Sequence, residues 1–266
     1  MLKDITLGQY YTADSAIHRL DPRVKLVATL FFIIAIFVAD DPIGFVFLTV
    51  CLGAVIIASK VPFSFMVRGL KSIIILLLIC GLFNLFLTPG DPLVRWGRVQ
   101  ITIQGVRAAV LMLVRMIYLI IGTSIMTLTT TPNQLTDGLE TGLRWLNYIH
   151  VPVHEIAMMM SIALRFIPIL SDETDKIMKA QMARGAEFDG KGIVKKAKAM
   201  VPLLVPLFVS AFRRANDLAL AMEARCYHGG EGRTSMKPLH YLRRDAIAYL
   251  LIFASFAAVI VLHALF

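Results

Sequence analysis

The chain alternates between long apolar runs and short polar breaks. Five runs predict membrane-spanning helices, at about residues 26–39, 43–58, 73–87, 108–128 and 246–266. The last two reach about 20 residues, which at 1.5 Å per residue matches a hydrocarbon core of ~30 Å. The first three are shorter. Lys25, Lys60 and Lys71 at their borders can extend them by carrying an ammonium group out to the interface. Only Asp40-Asp41-Pro42 separates the first two runs, which predicts a tight helical hairpin. The fold class expected is therefore an all-α integral membrane protein with about five spans.

Residues 129–245 break this rhythm. They hold two further apolar runs, 151–170 and 199–212. The first includes His154, Glu155 and Arg165, and the second is short and includes Pro202 and Pro206. Ionisable side chains are costly in lipid. If both runs crossed, the loop between them would carry Lys176, Lys179, Arg184, Lys191, Lys195, Lys196 and Lys198 to the outer side, against the cytoplasmic preference of basic residues. The region is expected to form amphipathic helices at or under the cytoplasmic face. Thr131-Pro132 reads as an N-cap and first helical residue. Ser171 or Asp172 is expected to open a helix running to Arg184 and stopped by Gly185. A longer helix should begin near Pro202–Pro206 and end at Arg225. On it Leu207, Ala211, Arg214, Leu218, Met222 and Arg225 form one stripe.

Composition agrees: 58% of the 266 residues are apolar and 17% charged, where soluble domains run near a quarter charged. The first twenty residues contain no apolar core, so no cleavable signal peptide is expected ahead of the first span. The net charge of +9 reads as cytoplasmic loops and anionic lipid rather than nucleic acid. Lys and Arg concentrate in residues 1–25, 59–71 and 129–245, with Arg95 and Arg98 alone in the presumed outer loops. This places the N-terminus inside and the C-terminus outside. The domain layout expected is a membrane bundle at 1–128, a cytoplasmic segment at 129–245 and a final span at 246–266.

Candidate chemistry is sparse. Gly185–Gly192 nearly spells a phosphate-binding loop, but Gly192 stands where Ser or Thr must bind magnesium and no strand precedes it. His150 and His154 have helical metal-ligand spacing, yet Pro152 lies between them and no further ligand completes a site. Cys51, Cys80 and Cys226 are too scattered for a disulfide or metal framework and read as small apolar residues. No nucleophile–base arrangement stands out, so neither an enzyme, a metal nor a cofactor is expected. Arg115, inside the fourth run, is open to either a structural pairing or a functional role.

The most informative feature is a pair of similar helix ends, Ala183-Arg184-Gly185 and Ala224-Arg225-Cys226, 41 residues apart. An arginine in a last turn can simply favour the helix dipole. Two copies in a basic cytoplasmic segment also suit a guanidinium that enters a groove and pairs with a partner's carboxylate.

Together with Ile17-His-Arg-Leu-Asp-Pro-Arg-Val-Lys25 before the first span, and Arg165-Phe-Ile-Pro168, these ends make the sequence resemble the transmembrane T components of energy-coupling factor transporters, ABC-type importers of vitamins and trace metals. Cys226 departs from the family's glycine at the third position of the Ala-Arg-Gly motif. The resemblance implies an L-shaped protein of the prokaryotic plasma membrane, with a coupling domain of long crossing helices. Its two Ala-Arg ends would insert into two ATPase subunits, which bind the ATP and magnesium. The same helices would hold an exchangeable substrate-binding S component. Met158, Met159 and Met160, in a methionine-rich segment, are candidates for that interface, since methionine adapts to several partners. The signature and length resemble the shared vitamin type more than the type dedicated to cobalt or nickel. A secondary transporter is the competing reading, but no internal repeat supports it.

Overall fold

The computed structural model describes residues 10–96, 99–186, 193–230, 236 and 238–265. They form eight α-helices and one short hairpin: α1 (Pro22–Val38), α2 (Pro42–Ser59), α3 (Phe63–Leu87), β1 (Pro92–Trp96), β2 (Val99–Thr102), α4 (Ile103–Thr129), α5 (Pro132–Gly142), α6 (Val153–Ala183), α7 (Ile193–Ala224) and α8 (Arg243–Leu265). A 3₁₀ turn at Arg144–Ile149 leads into α6. The helical class expected from the apolar runs holds, with the antiparallel β1–β2 pair as a small addition between α3 and α4. The chain divides into two compact units, one built from Gly8–Gly138 with Leu239–Phe266 and the other from Leu139–Pro238.

In the first unit, helix starts coincide with proline or capping signals in the sequence. Asp21 accepts the Arg23 amide at 2.9 Å and Pro22 opens α1. Pro42 opens α2 after Asp41. Thr131 and Gln134 close a reciprocal capping box, amide to side chain in both directions at 3.1 and 3.3 Å. The starts of α1 and α8 meet at Asp245, which is 1% exposed. Its two carboxylate oxygens accept the Asp21 amide at 3.0 Å and the Leu242 amide at 2.8 Å. The end of α4 lies on the same side, where Lys25 Nζ donates to the Thr129 carbonyl at 2.8 Å. At the far side, His263 of α8 stands 3.9 Å from Asp41 in the α1–α2 turn.

Side chains inside the bundle pack in two clusters. One joins Ala35, Ile36, Phe45, Leu48 and Val259, and the other joins Leu52, Met66, Ile121, Ile125 and Leu128. At the α1–α4 crossing a Cβ on Gly122 would lie 2.5 Å from the Phe32 ring. The missing side chain is what admits the phenyl group.

The outer faces of the bundle are apolar. Ile75 is 70% exposed and Leu250 68%, a surface suited to lipid. Among the described residues four helices are long and apolar enough to cross a bilayer: α2, α4, α6 and α8; the apolar part of α3 is shorter, Ile73–Leu87. Three of these match runs expected to span. The fourth, α6, contains the run 151–170 that was expected not to span, while α1, expected to span, is shorter at 17 residues.

Arg115 has a structural explanation. It donates to the Ala39 carbonyl at 3.1 Å and to Asp40 at 2.8 Å, with the Phe37 and Phe45 rings 5.6 and 6.0 Å away. It therefore caps the C-terminal end of α1. Arg115 is twelve residues into α4, so α3 and α4 run ~18 Å beyond the α1–α2 turn. The charge sits at the depth of a polar turn.

Asp245→Ala removes the shared acceptor and strands two amides. The expected cost is about 2 kcal/mol, a melting temperature about 4–8 °C lower in detergent. Thermal unfolding followed by size-exclusion chromatography checks this; an unchanged transition would mean that water replaces the carboxylate.

Candidate functional site

The second unit is dominated by α6 and α7. Both run further than the sequence suggests. One helix, Val153–Ala183, includes the position where Ser171 or Asp172 was expected to start a new one, and Pro168 lies inside it. α7 begins at Ile193, nine residues before Pro202. An interior proline removes one hydrogen bond and crowds the preceding turn, at about 3 kcal/mol. Both helices nonetheless continue through their prolines, and they meet at Gln181 with Pro202 and at Glu173 with Ser210 and Arg214.

They run antiparallel. Gln181 near the end of α6 donates to the Pro202 carbonyl near the start of α7, at 3.3 Å. Midway, Glu173 accepts from Ser210 Oγ at 2.6 Å and from Arg214 at 2.9 Å. At the other end Gly230, beyond α7, lies so close to His154 that a Cβ would come within 2.5 Å of the imidazole. His154 itself pairs with Glu140 at 2.7 Å, and His150 is exposed in a left-handed conformation. No group of three metal-ligating side chains occurs among the described residues.

The expected stripe on α7 is its inner face: Leu207, Ala211, Arg214, Leu218 and Met222 are all partly covered. The outer face has a second stripe that the sequence reading missed. Val201, Val205, Phe208 and Phe212 recur at helical spacing and are 52–68% exposed. Their three-to-four spacing was visible in the sequence, but proline and the surrounding charges masked it. Of the methionine trio on α6, Met159 and Met160 are exposed and Met158 is partly covered.

The two Ala-Arg ends adopt one and the same backbone motif. At the end of α6, the Gly185 amide donates to Met182 O and the Ala186 amide to Gln181 O, both at 3.0 Å. At the end of α7, the Cys226 amide donates to Glu223 O at 2.9 Å and the Tyr227 amide to Met222 O at 3.1 Å. Each is a Schellman turn, with the residue after the arginine in the left-handed region: φ is 88° at Gly185 and 54° at Cys226. The Gln181 and Met182 carbonyls of α6, and the Met222 and Glu223 carbonyls of α7, are thus taken by the chain's own amides, so neither arginine is needed to cap these four. Both Arg184 and Arg225 are exposed, with Ala183 and Ala224 exposed beside them. The near-phosphate-loop residues 187–192 lie outside the described residues.

Positions matter as much as conformation. The Arg184 turn lies near Pro202 in the first third of α7, while Arg225 follows that helix 23 residues past Pro202, ~35 Å along its axis. The arginines stand at opposite ends of the helix pair.

Charges in this unit are held by specific partners. The Ser210 hydroxyl, and then Arg214, keep the Glu173 carboxyl below the usual carboxylate range. In the other unit burial opposes the charge on Asp21, but hydrogen bonds from Arg23 outweigh it and lower its pKa as well.

The fold is thus that of an all-α membrane protein with a pair of long helices, each ending in an exposed arginine on a Schellman turn. Comparison with known sequences names its kind. The cobalt transport protein (CbiQ) family profile matches residues 13–236. The chain is 53% identical to the energy-coupling factor transporter transmembrane protein EcfT of Clostridium kluyveri, over 94% of this chain and 93% of that one. It is 50% identical to the EcfT protein of Thermosediminibacter oceani over 94% of each chain, and 45% identical to that of Bacillus subtilis over 92% and 93%. The chain belongs to this CbiQ/EcfT family, and it is a transmembrane component of an energy-coupling factor transporter.

Left-handed φ costs a residue with a Cβ about 1 kcal/mol relative to glycine. Cys226→Gly should therefore tighten the end of α7, and Gly185→Ala should loosen the end of α6. Amide hydrogen exchange checks both: protection of the Cys226 and Tyr227 amides should rise about fivefold in the first variant, and that of Gly185 and Ala186 should fall in the second.

Proposed function

We propose that this chain is the non-catalytic coupling scaffold of a vitamin importer. Arg184 and Arg225 dock into two separate ATPase subunits, and the outer face of α7 holds a membrane-embedded substrate-binding S component. The observation that carries this reading is the duplicated Schellman turn, which presents two arginines in the same conformation at opposite ends of one helix pair. Two equivalent contacts far apart suit two copies or homologues of one partner. A guanidinium freed from capping can enter a groove and meet a carboxylate bidentately. ATP and magnesium belong to the partners, since the only phosphate-loop-like stretch of this chain lacks the hydroxyl residue that would hold the metal.

The second contact rests on Val201, Val205, Phe208 and Phe212, an exposed apolar stripe widened by Leu204 and Val209 beside it. Met159 and Met160 supply an adaptable surface on α6 of the kind that several exchangeable S components need. In this reading the N-terminus and residues 129–245, α6 included, face the cytosol and the C-terminus lies outside. Lys and Arg distribution supports that orientation, and so do α1 and α8, which start on one side of the bundle. Closure of the ATPases on ATP would move α6 and α7, and with them the S component. Vitamin uptake by a shared scaffold fits the N-terminal signature better than a dedicated cobalt or nickel importer.

Charge reversal at both arginines, Arg184→Glu with Arg225→Glu, should abolish co-purification of the ATPase subunits in mild detergent and stop uptake, while the chain still inserts at normal abundance. Undiminished assembly would refute the assigned roles. A separate substitution, Phe208→Asp, should release the S component and leave both ATPases bound. Loss of the ATPases instead would mean that the stripe belongs to their interface.

A further inference from the structure

The contact between α6 and α7 is symmetric with respect to the two arginines. Glu173 lies eleven residues before Arg184, and Arg214 lies eleven residues before Arg225. The pair is separated by 41 residues, the same offset that relates the two Ala-Arg turns. Glu173 and Arg214 therefore occupy equivalent positions on two equivalent arms, each ~16 Å long at 1.5 Å per residue.

The chemistry of the joint is as informative as its position. Glu173 receives two donors from one face of α7, Ser210 Oγ at 2.6 Å and an Arg214 terminal nitrogen at 2.9 Å. Arg214 uses that one nitrogen on the carboxylate, and its Nε, though shielded, has no acceptor among the described residues. With Ser210 on one carboxylate oxygen and Arg214 on the other, the clamp fixes one point of α6 against one point of α7. Both side chains are partly exposed, 24% for Glu173 and 40% for Arg214. An ion pair so exposed adds little to stability, so its symmetric placement is better explained by positioning than by folding.

The geometry points to the Glu173–Ser210–Arg214 contact as the pivot that joins the two coupling arms. It keeps α6 and α7 together at their common midpoint, so that displacement of one Ala-Arg turn is converted into displacement of the other. Glu173 and Arg214 are positioning residues and touch neither nucleotide nor transported substrate. This inference rests on the docking roles proposed for Arg184 and Arg225.

The test uses the complete transporter, with its ATPases and S component, reconstituted in liposomes. It reads three quantities: ATPase subunits retained, ATP hydrolysed, and substrate taken up per ATP. A merely structural defect lowers the amount of complex but not the uptake-to-hydrolysis ratio. For Glu173→Ala we expect both ATPases to stay bound and uptake per ATP to fall about fivefold. Arg214→Gln should behave alike, whereas Arg214→Lys, which keeps one nitrogen in reach, should retain most coupling. The exchange Glu173→Arg with Arg214→Glu should restore at least half of it. An unchanged ratio in Glu173→Ala, loss of the ATPases from that variant, or no rescue by the exchange would each overturn the pivot. Failure of the unsubstituted chain to retain ATPases would instead overturn the docking roles, and the pivot with them.

Discussion

Every helix leaves backbone N–H groups unpaired at its start and C=O groups unpaired at its end, and in a mostly apolar chain each must find a partner. Most of the structure follows from how this chain meets that requirement. Asp245 answers amides at the starts of α1 and α8 together, which fixes those two helices side by side. Lys25 answers the end of α4, and Arg115 with Asp40 closes the end of α1. The few buried or half-buried charges of the bundle are thus spent on helix ends. In the other unit the ends of α6 and α7 use main-chain amides alone. That choice leaves their arginines free.

The ordinary reading of an arginine in a last turn and the functional one are separated by this accounting. An arginine that caps carbonyls folds back along its helix and is consumed there. When the amides of the next two residues already occupy two of those carbonyls, the guanidinium is not needed for them, and both Arg184 and Arg225 are exposed. Conservation of conformation at Cys226 strengthens the point. A cysteine at φ 54° is a poorer choice than glycine, yet the turn is the same as at Gly185. The backbone geometry is retained where the residue best suited to it is not.

What the sequence made legible was local. Asp21-Pro22, Thr131-Pro132 and the two Ala-Arg ends were visible because caps and stops act over four or five residues, and the apolar runs gave the helical membrane class. What it hid was relational. Arg115 could not be matched with Asp40 from spacing 75 residues apart, nor Glu173 with Arg214, because nothing in one strand of text states which helices touch. The prolines misled in the other direction. Pro202 and Pro206 are strong local breakers at a cost of ~3 kcal/mol each, yet α7 runs on through both of them, as α6 does through Pro168.

The same contrast explains why the two units differ in their exposed surfaces. The bundle shows lipid an apolar face without pattern, as α3 does from Ile73 to Leu87, since a fluid solvent asks only for apolarity. α7 shows an ordered stripe on one side and a partly covered, partly ionic face on the other. An inner face clamped through Glu173, Ser210 and Arg214 is matched to a partner helix at defined positions. Lipid would not have required that ionic match.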